Sequence, residues 1–422
     1  MKPQSRQSRD RIAIWIVFFV ALVMRLGYVL WQGPPAPLAG DAAEYGAYAQ
    51  AIGSRAQFAG PDGVRATRMP GYPMLIALVA KAAGPSTRAL QLVQCLLGAL
   101  ACVMVFWWAQ ALLGAPWPLI CGLAAAVSYD LIAPASWTLT ECLYSFLLAA
   151  SFCVLYRESL PIRWRAMGAG FGFGVTALVR PEVLPFSFLI LGAASFIFKG
   201  FSRRSAALAL AAFLSINFVW VVRNALVFRR FVPVSTVGGW NGYLGLYLPL
   251  HHLGLEPRPI PTAPAGIGEI ERDAFYRQNY RELRRTTSFV NQIKAYTFNL
   301  LTVYYPFLPS FDWTYATLIP FWLWGVWRAR SRRELWPIVG LVAGLSAMFA
   351  VLAGPVSRYR FGFAPCLILL AGVGAESLRA QFKDARKFAG AAGLWATANV
   401  FLWLGSEQPR RAALWLKDLF WR

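Results

Sequence analysis

Read as a helix, the segment GDAAEYGAYAQAIGS stacks Asp41, Glu44, Tyr45 and Tyr48 at spacings of three, four and seven, so two carboxylates and two phenols share one face. Such a face suits proton abstraction from a hydroxyl by a positioned carboxylate. Asp41 also reads as an N-cap with Glu44 as its capping-box partner, and that role does not exclude chemistry. Shortly afterwards ATRMPGYP sets Arg68 in front of a Pro-Gly turn. Further on, Arg180, Arg223, Arg358 and Arg360 stand apart from the main basic clusters, with the acids Glu141 and Glu182 among them. A planar guanidinium binds phosphate through paired charge-assisted hydrogen bonds, so this set points to an anionic ligand.

These residues must be positioned by elements made for lipid. Of 422 residues 58% are hydrophobic and only 14% charged, more apolar than a soluble domain of this size could hide. Repeated long apolar runs describe one polytopic membrane unit over 1–422, with membrane lipids as its solvent. The net charge of +22 comes from Arg and Lys gathered in short clusters between those runs. That is the pattern of membrane topology, and it argues against a nucleic-acid partner. The six cysteines, Cys95, Cys102, Cys121, Cys142, Cys153 and Cys366, lie in apolar stretches without a CxxC pair and read as small core residues. His251 and His252 are adjacent, with no Cys or third His nearby, and read as surface-loop residues, not metal ligands.

Lys2, Arg6, Arg9 and Arg11 precede the first apolar run, Arg11–Trp31, which is too long for a signal-peptide core and is expected to stay as the first span. The amino terminus is then cytoplasmic and the GDAAEY segment lies outside. Basic clusters at Arg157/Arg163/Arg165, Lys199/Arg203/Arg204, Arg328/Arg330/Arg332/Arg333 and Arg379/Lys383/Arg386/Lys387 are expected on the cytoplasmic side. Parity holds if Pro73–Ala83, too short to span, is a juxtamembrane helix of the first outer loop, 32–87. The remaining runs give about eleven transmembrane helices, a large outer loop at 228–298 and an interfacial carboxy-terminal helix at 405–422. In the large loop Phe275, Tyr276, Tyr280 and Leu283 fall at helical spacing, as in a helix that packs one face on the spans and covers a pocket.

On this topology Arg68, Arg180, Arg223, Arg358 and Arg360 come to the outer ends of different segments, beside Asp41, Glu44, Glu141 and Glu182. Charges brought to the lipid boundary from several segments line a polar cavity. Arg25, inside the first span, is expected to snorkel to the headgroups instead.

Six pieces, GDAAEY, RMPGYP, WTLTECLYSFLLAA, GVTALVRPEVLP, VVRNALVFRRFVPVSTVGGWNGYLG and SRYRFGFAPCLILLAGVG, occur in an order that resembles the C-type (GT-C) membrane glycosyltransferases. That family includes protein O-mannosyltransferases and lipid A aminoarabinose transferases. The resemblance implies an all-α GT-C fold and an inverting transferase that moves a monosaccharide from a polyprenyl-phosphate donor to a lipid, glycan or protein hydroxyl. It implies an active site on the outer, periplasmic face of a bacterial inner membrane. By the same resemblance Asp41 is the base that deprotonates the acceptor and Arg68 holds the donor phosphate. Arg180, Arg223, Arg358 and Arg360 follow as further phosphate ligands, and Glu44, Tyr45, Tyr72, Glu141, Glu182 and Asn241 complete the pocket. The sequence departs from the family after GGWNGYLG, where YLPLHHLG replaces a Gly-Asn-Asn-Pro pattern.

The chemistry agrees with this assignment. Pre-placed guanidiniums stabilise the negative charge that grows on a departing phosphate, so no metal is required. A divalent cation could still be gathered by Glu44, Glu141 and Glu182. A transporter or flippase of a phosphorylated lipid or glycolipid is the alternative, but it calls for paired repeats or ionisable residues at mid-span.

Overall fold

The computed structural model describes residues 3–307 and 311–405, with side chains from residue 8 onward. The expected helix at 405–422 therefore lies, but for its first residue, outside the described residues. Among those described, every regular element is helical: α1 Pro3–Trp31, α2 Asp41–Arg55, α3 Gly71–Ala83, α4 Thr87–Gln110, α5 Trp117–Val127, α6 Tyr129–Ile132, α7 Glu141–Tyr156, α8 Ile162–Val179, α9 Leu184–Ile197, α10 Arg203–Phe228, α11 Gly238–His252, α12 Glu269–Thr286, α13 Phe289–Tyr304, α14 Trp313–Arg328, α15 Trp336–Leu352, α16 Tyr359–Gln381 and α17 Ala385–Leu404.

Five stretches, Ser8–Trp31, Thr87–Gln110, Arg203–Phe228, Arg333–Leu352 and Tyr359–Gln381, are long and apolar enough to cross a bilayer, which makes this an integral membrane protein. A sixth crossing forms if α5 and the Tyr129–Ser136 segment, bent by 66° at Ser128, are one broken span. The other expected crossings coincide with α7, α8, α9, α14 and α17. Of these α7 has 16 residues and α9 has 14. At about 1.5 Å per residue such helices fall short of a hydrocarbon core of about 30 Å, so length does not establish the count of eleven.

The helices alternate between two ends. At one end Arg332 donates to the Leu112 carbonyl at 3.1 Å, Gly114 N–H donates to Glu376 at 2.9 Å, and Tyr156 donates to the Glu334 carbonyl. At the other end lie the first turns of α2 and α7 and the start of α16. Between them runs a continuous apolar core that includes Trp108 stacked on Phe152 at 4.5 Å. The six cysteines are buried in this structure as free thiols.

Two devices allow helices this apolar to pack specifically. α14 and α16 touch backbone to backbone through glycines: a Cβ at Gly374 would stand 1.9 Å from the Phe321 carbonyl oxygen, and one at Gly325 2.0 Å from that of Leu370. Gly374→Ala is therefore expected to lower stability by about 1–3 kcal/mol, read as a drop in the melting temperature of the detergent-solubilised protein. The second device is Arg25, and it corrects the snorkelling expectation. Arg25 is wholly buried and donates to the carbonyls of Ala21 at 2.9 Å, Ala126 at 3.3 Å and Ala125 at 3.5 Å. The break after α5 leaves its last carbonyls without helical partners, and the guanidinium supplies them. Gly98 makes the room, since a Cβ there would lie 2.5 Å from Arg25 Nε. His251 and His252 are exposed, but they close the last turn of α11 instead of lying in a loop, and His251 Nδ1 pairs with the Glu256 carbonyl at 2.9 Å.

Candidate active site

α2 begins where Gly40, at φ 53°, turns the chain sharply, and its first turn carries Asp41 and Glu44, where the helix dipole favours anions. Neither acts as a cap: Asp41 is already helical, Gly40 holds the N-cap position, and no side chain caps the helix. The capping-box reading thus gives way, because both carboxylates are drawn to arginines.

The loop that brings Arg68 over this turn is fastened on several sides. Tyr48 Oη pairs with Thr67 Oγ1 at 2.8 Å, and Thr236 N–H donates to the Ala66 carbonyl at 2.9 Å. Glu269 at the start of α12 accepts from the N–H of Arg65 at 2.7 Å and of Ala66 at 3.4 Å. Arg223 donates to the carbonyls of Arg65 at 2.7 Å and Phe58 at 3.0 Å. The Pro-Gly turn then starts α3, and Gly71 lets that helix close on the end of α8, since a Cβ would meet Val179 Cγ2 at 2.7 Å.

The result is a carboxylate held between two guanidiniums. Arg68 Nη2 reaches Asp41 Oδ1 at 2.6 Å and Arg358 Nη2 reaches Oδ2 at 2.7 Å, while Arg68 Nε binds Glu44 Oε2 at 2.7 Å. Arg68 also lies over the Tyr45 ring at 5.2 Å. Beside this cluster Arg180 sits between Glu182 at 3.4 Å and Glu141 at 3.6 Å, against the rings of Tyr144 and Tyr359. Both clusters open into one cavity of about 710 Å³.

Burial raises the Asp41 pKa, but Arg68 and Arg358 together lower it more, so it lies below its ordinary 3.8. Because the folded value lies under the unfolded one, the ion pairs stabilise above the unfolded value and are lost as pH falls through the folded value. The difference in melting temperature between wild type and Asp41→Asn should be constant from pH 7 to 5 and shrink only below about pH 4.

Of the residues singled out in the sequence, Asp41, Glu44, Tyr45, Arg68 and Glu141 line this cavity, as do Arg180, Glu182, Asn241 and Arg358. Tyr48, Tyr72, Arg223 and Arg360 lie elsewhere, Tyr48 being buried against Thr67 as given above. Tyr72 is buried, donating to Gln94 Oε1 at 2.9 Å, with its ring edge-on to Tyr45. Arg223 is occupied by the loop carbonyls given above. Arg360 is turned inward, bidentate on Asp130 at 2.8 Å and 2.8 Å and bound to Asp312 at 3.1 Å. Glu44, Glu141 and Glu182 are divided between Arg68 and Arg180, and no three His, Cys, Asp or Glu side chains come together as metal ligands among the described residues.

On the far wall, where Asn241 and the helix of Tyr276 were expected, sequence reasoning missed Trp240 from α11 and Glu269 and Arg272 from α12. The helical spacing of Phe275, Tyr276, Tyr280 and Leu283 was the available signal, and α12 does lie over the cavity. Burial holds the Glu269 carboxyl above its ordinary 4.5, against the two backbone N–H groups that lower it.

No family model matches the sequence, and no curated protein matches it. Solved structures do. The oligosaccharyltransferase of Archaeoglobus fulgidus, tethered to an acceptor peptide containing the NVT sequon, superposes with a TM-score of 0.56 at 14% identity, over 95% of this chain and 55% of that one. The same protein in complex with Zn and sulfate gives 0.55 at 14% identity, over 92% and 51%. ArnT from Cupriavidus metallidurans bound to undecaprenyl phosphate gives 0.40 at 13% identity, over 90% and 80%. The chain spans about half the length of the archaeal enzyme. At this identity the likeness establishes the fold alone, which the chain shares with the archaeal oligosaccharyltransferase.

Proposed function

We propose that this protein is an inverting membrane glycosyltransferase that moves a monosaccharide from a polyprenyl-phosphate donor to the hydroxyl of a lipid, glycan or protein acceptor. The observation that carries this reading is Asp41 clamped between Arg68 and Arg358 at the edge of the cavity. In the empty site the carboxylate and the guanidiniums neutralise one another. A phosphate entering the cavity competes for Arg68 and Arg358, which shifts them toward the leaving group and uncovers an Asp41 oxygen. The acceptor oxygen then attacks the anomeric carbon as the carbon–oxygen bond to phosphate breaks. Its proton passes to Asp41, and the electron pair leaves on the phosphate, where Arg68, Arg358 and Arg180 stabilise the added charge. A single displacement of this kind inverts the anomeric centre. No divalent ion is needed for the charge balance.

The shared fold supports the reading, since the neighbour of that fold is an oligosaccharyltransferase tethered with an acceptor peptide. Lys2, Arg6, Arg9 and Arg11 at the start of the chain and the basic residues at 157–165, 199–204, 328–333 and 379–387 favour a cytoplasmic amino terminus, and with it a cavity on the outer face. In a bacterium that is the periplasmic side of the inner membrane.

Mass-spectrometric comparison of lipids, glycans and envelope proteins from wild-type cells, a deletion strain and an Asp41→Asn strain tests the reading. The expected result is one species that loses a single sugar mass in both mutants. Unchanged fractions in the deletion strain, or an Asp41→Asn strain indistinguishable from wild type, would overturn it.

A further inference from the structure

The two walls of the cavity differ in what they have left to offer a ligand. On the α2 side, Arg68, Arg358 and Arg180 are each ion-paired to a carboxylate. On the α11–α12 side, Trp240, Asn241, Arg272 and Tyr276 line the same space, and none of their side chains makes a hydrogen bond or ion pair with another described residue. Trp240 and Tyr276 meet at 4.5 Å and 67°, in an edge-to-face arrangement, and both are partly exposed where they line the cavity.

The wall is built to hold its shape. A Cβ at Gly239 would stand 2.2 Å from the Asp273 carbonyl oxygen, so the first turn of α11 lies directly on α12. Asp273 accepts from Gly239 N–H at 2.5 Å and pairs with Arg277 one turn along α12. The aromatic pair is thereby fixed by backbone contact and is not needed to hold the helices together.

We propose that Trp240, Asn241, Arg272 and Tyr276 form a sugar-ring subsite, in which the C–H face of a pyranose or furanose stacks on the indole and the ring hydroxyls bond Asn241 and Arg272. Apolar ring faces pack on aromatic surfaces, and the polar groups beside them fix orientation. The inference rests on the transferase reading and deepens it: the charged wall takes the phosphate and the aromatic wall takes the sugar. The ring belongs either to the donor or to a glycan acceptor, and the two share this chemistry.

Saturation-transfer NMR on the detergent-solubilised full chain tests the subsite with the methyl glycosides of glucose, mannose, galactose and arabinose. At least one is expected to show ring-proton saturation that weakens about fivefold or more in Trp240→Leu, which keeps apolar bulk, and persists in Trp240→Phe, which keeps a ring face. Displacement of the signal by a short polyprenyl-phosphate sugar supports the subsite and assigns it to the donor. Persistence beside that bound donor supports it and assigns it to the acceptor. No saturation from any glycoside with the wild type, or equal saturation in Trp240→Leu, overturns the inference. Binding is read without turnover, so Asp41→Asn should retain the signal, and failure here is distinct from failure of the transferase reading.

Discussion

Asp41→Asn is expected to lower the transfer rate on the order of 10³-fold while polyprenyl-phosphate binding stays as tight as in wild type or becomes tighter. The amide keeps the volume of the carboxylate but cannot accept the acceptor's proton, so on the proposed mechanism the chemical step loses its base. The same substitution removes the negative charge that Arg68 and Arg358 share in the empty site, at 2.6 Å and 2.7 Å. Their full charge then faces an incoming phosphate. A fall in kcat with an unchanged or lowered donor dissociation constant, measured by calorimetry with a short polyprenyl phosphate, is the expected signature. A general loss of structure would weaken both. If kcat stays within tenfold of wild type, Asp41 is not the base and the mechanism fails at its centre.

How much of this was legible in the sequence differs by residue, for physical reasons. Helix positions were readable because apolar runs and the basic clusters between them obey lipid constraints: the expected Arg11–Trp31 run lies in α1 Pro3–Trp31, and Pro73–Ala83 in α3 Gly71–Ala83. Crossing number was less so, because short helices such as α9 meet the apolar criterion but not the length. Within the site, the argument from outer-end charges found Arg68, Arg180 and Arg358. It could not separate Arg358 from Arg360, although two residues on at a helix start point to nearly opposite sides. Arg25 was misread because its partners, the carbonyls at the α5 break, exist only once the chain bends. The far wall was hidden for a related reason: Trp240 and Tyr276 are far apart in sequence and become neighbours only when α12 folds back over α11.

That inward turn of Arg360 leads to the second large effect, on stability. Arg360 is 1% exposed and bonds Asp130 through Nε and Nη2, Asp312 through Nη2 at 3.1 Å, and the Val303 carbonyl through Nη1 at 3.2 Å. Its guanidinium also lies 3.7 Å from the centre of the Tyr315 ring. It therefore joins the broken span at α6, the end of α13, the N-cap of α14 and the start of α16. Arg360→Met removes the cation and leaves two carboxylates, 2% and 8% exposed, with no counter-charge in a low-dielectric interior. A broken buried pair of this kind costs about 3–5 kcal/mol, so the variant should melt far below wild type in detergent or fail to accumulate in membranes. The cost arises from the stranded charges more than from the lost contacts. Adding Asp130→Asn and Asp312→Asn to Arg360→Met should therefore recover most of the loss, because three neutral groups need no counter-charge. An Arg360→Met protein that melts with the wild type would show that the two aspartates are already neutral, and a triple variant no better than the single one would place the cost in packing instead of charge.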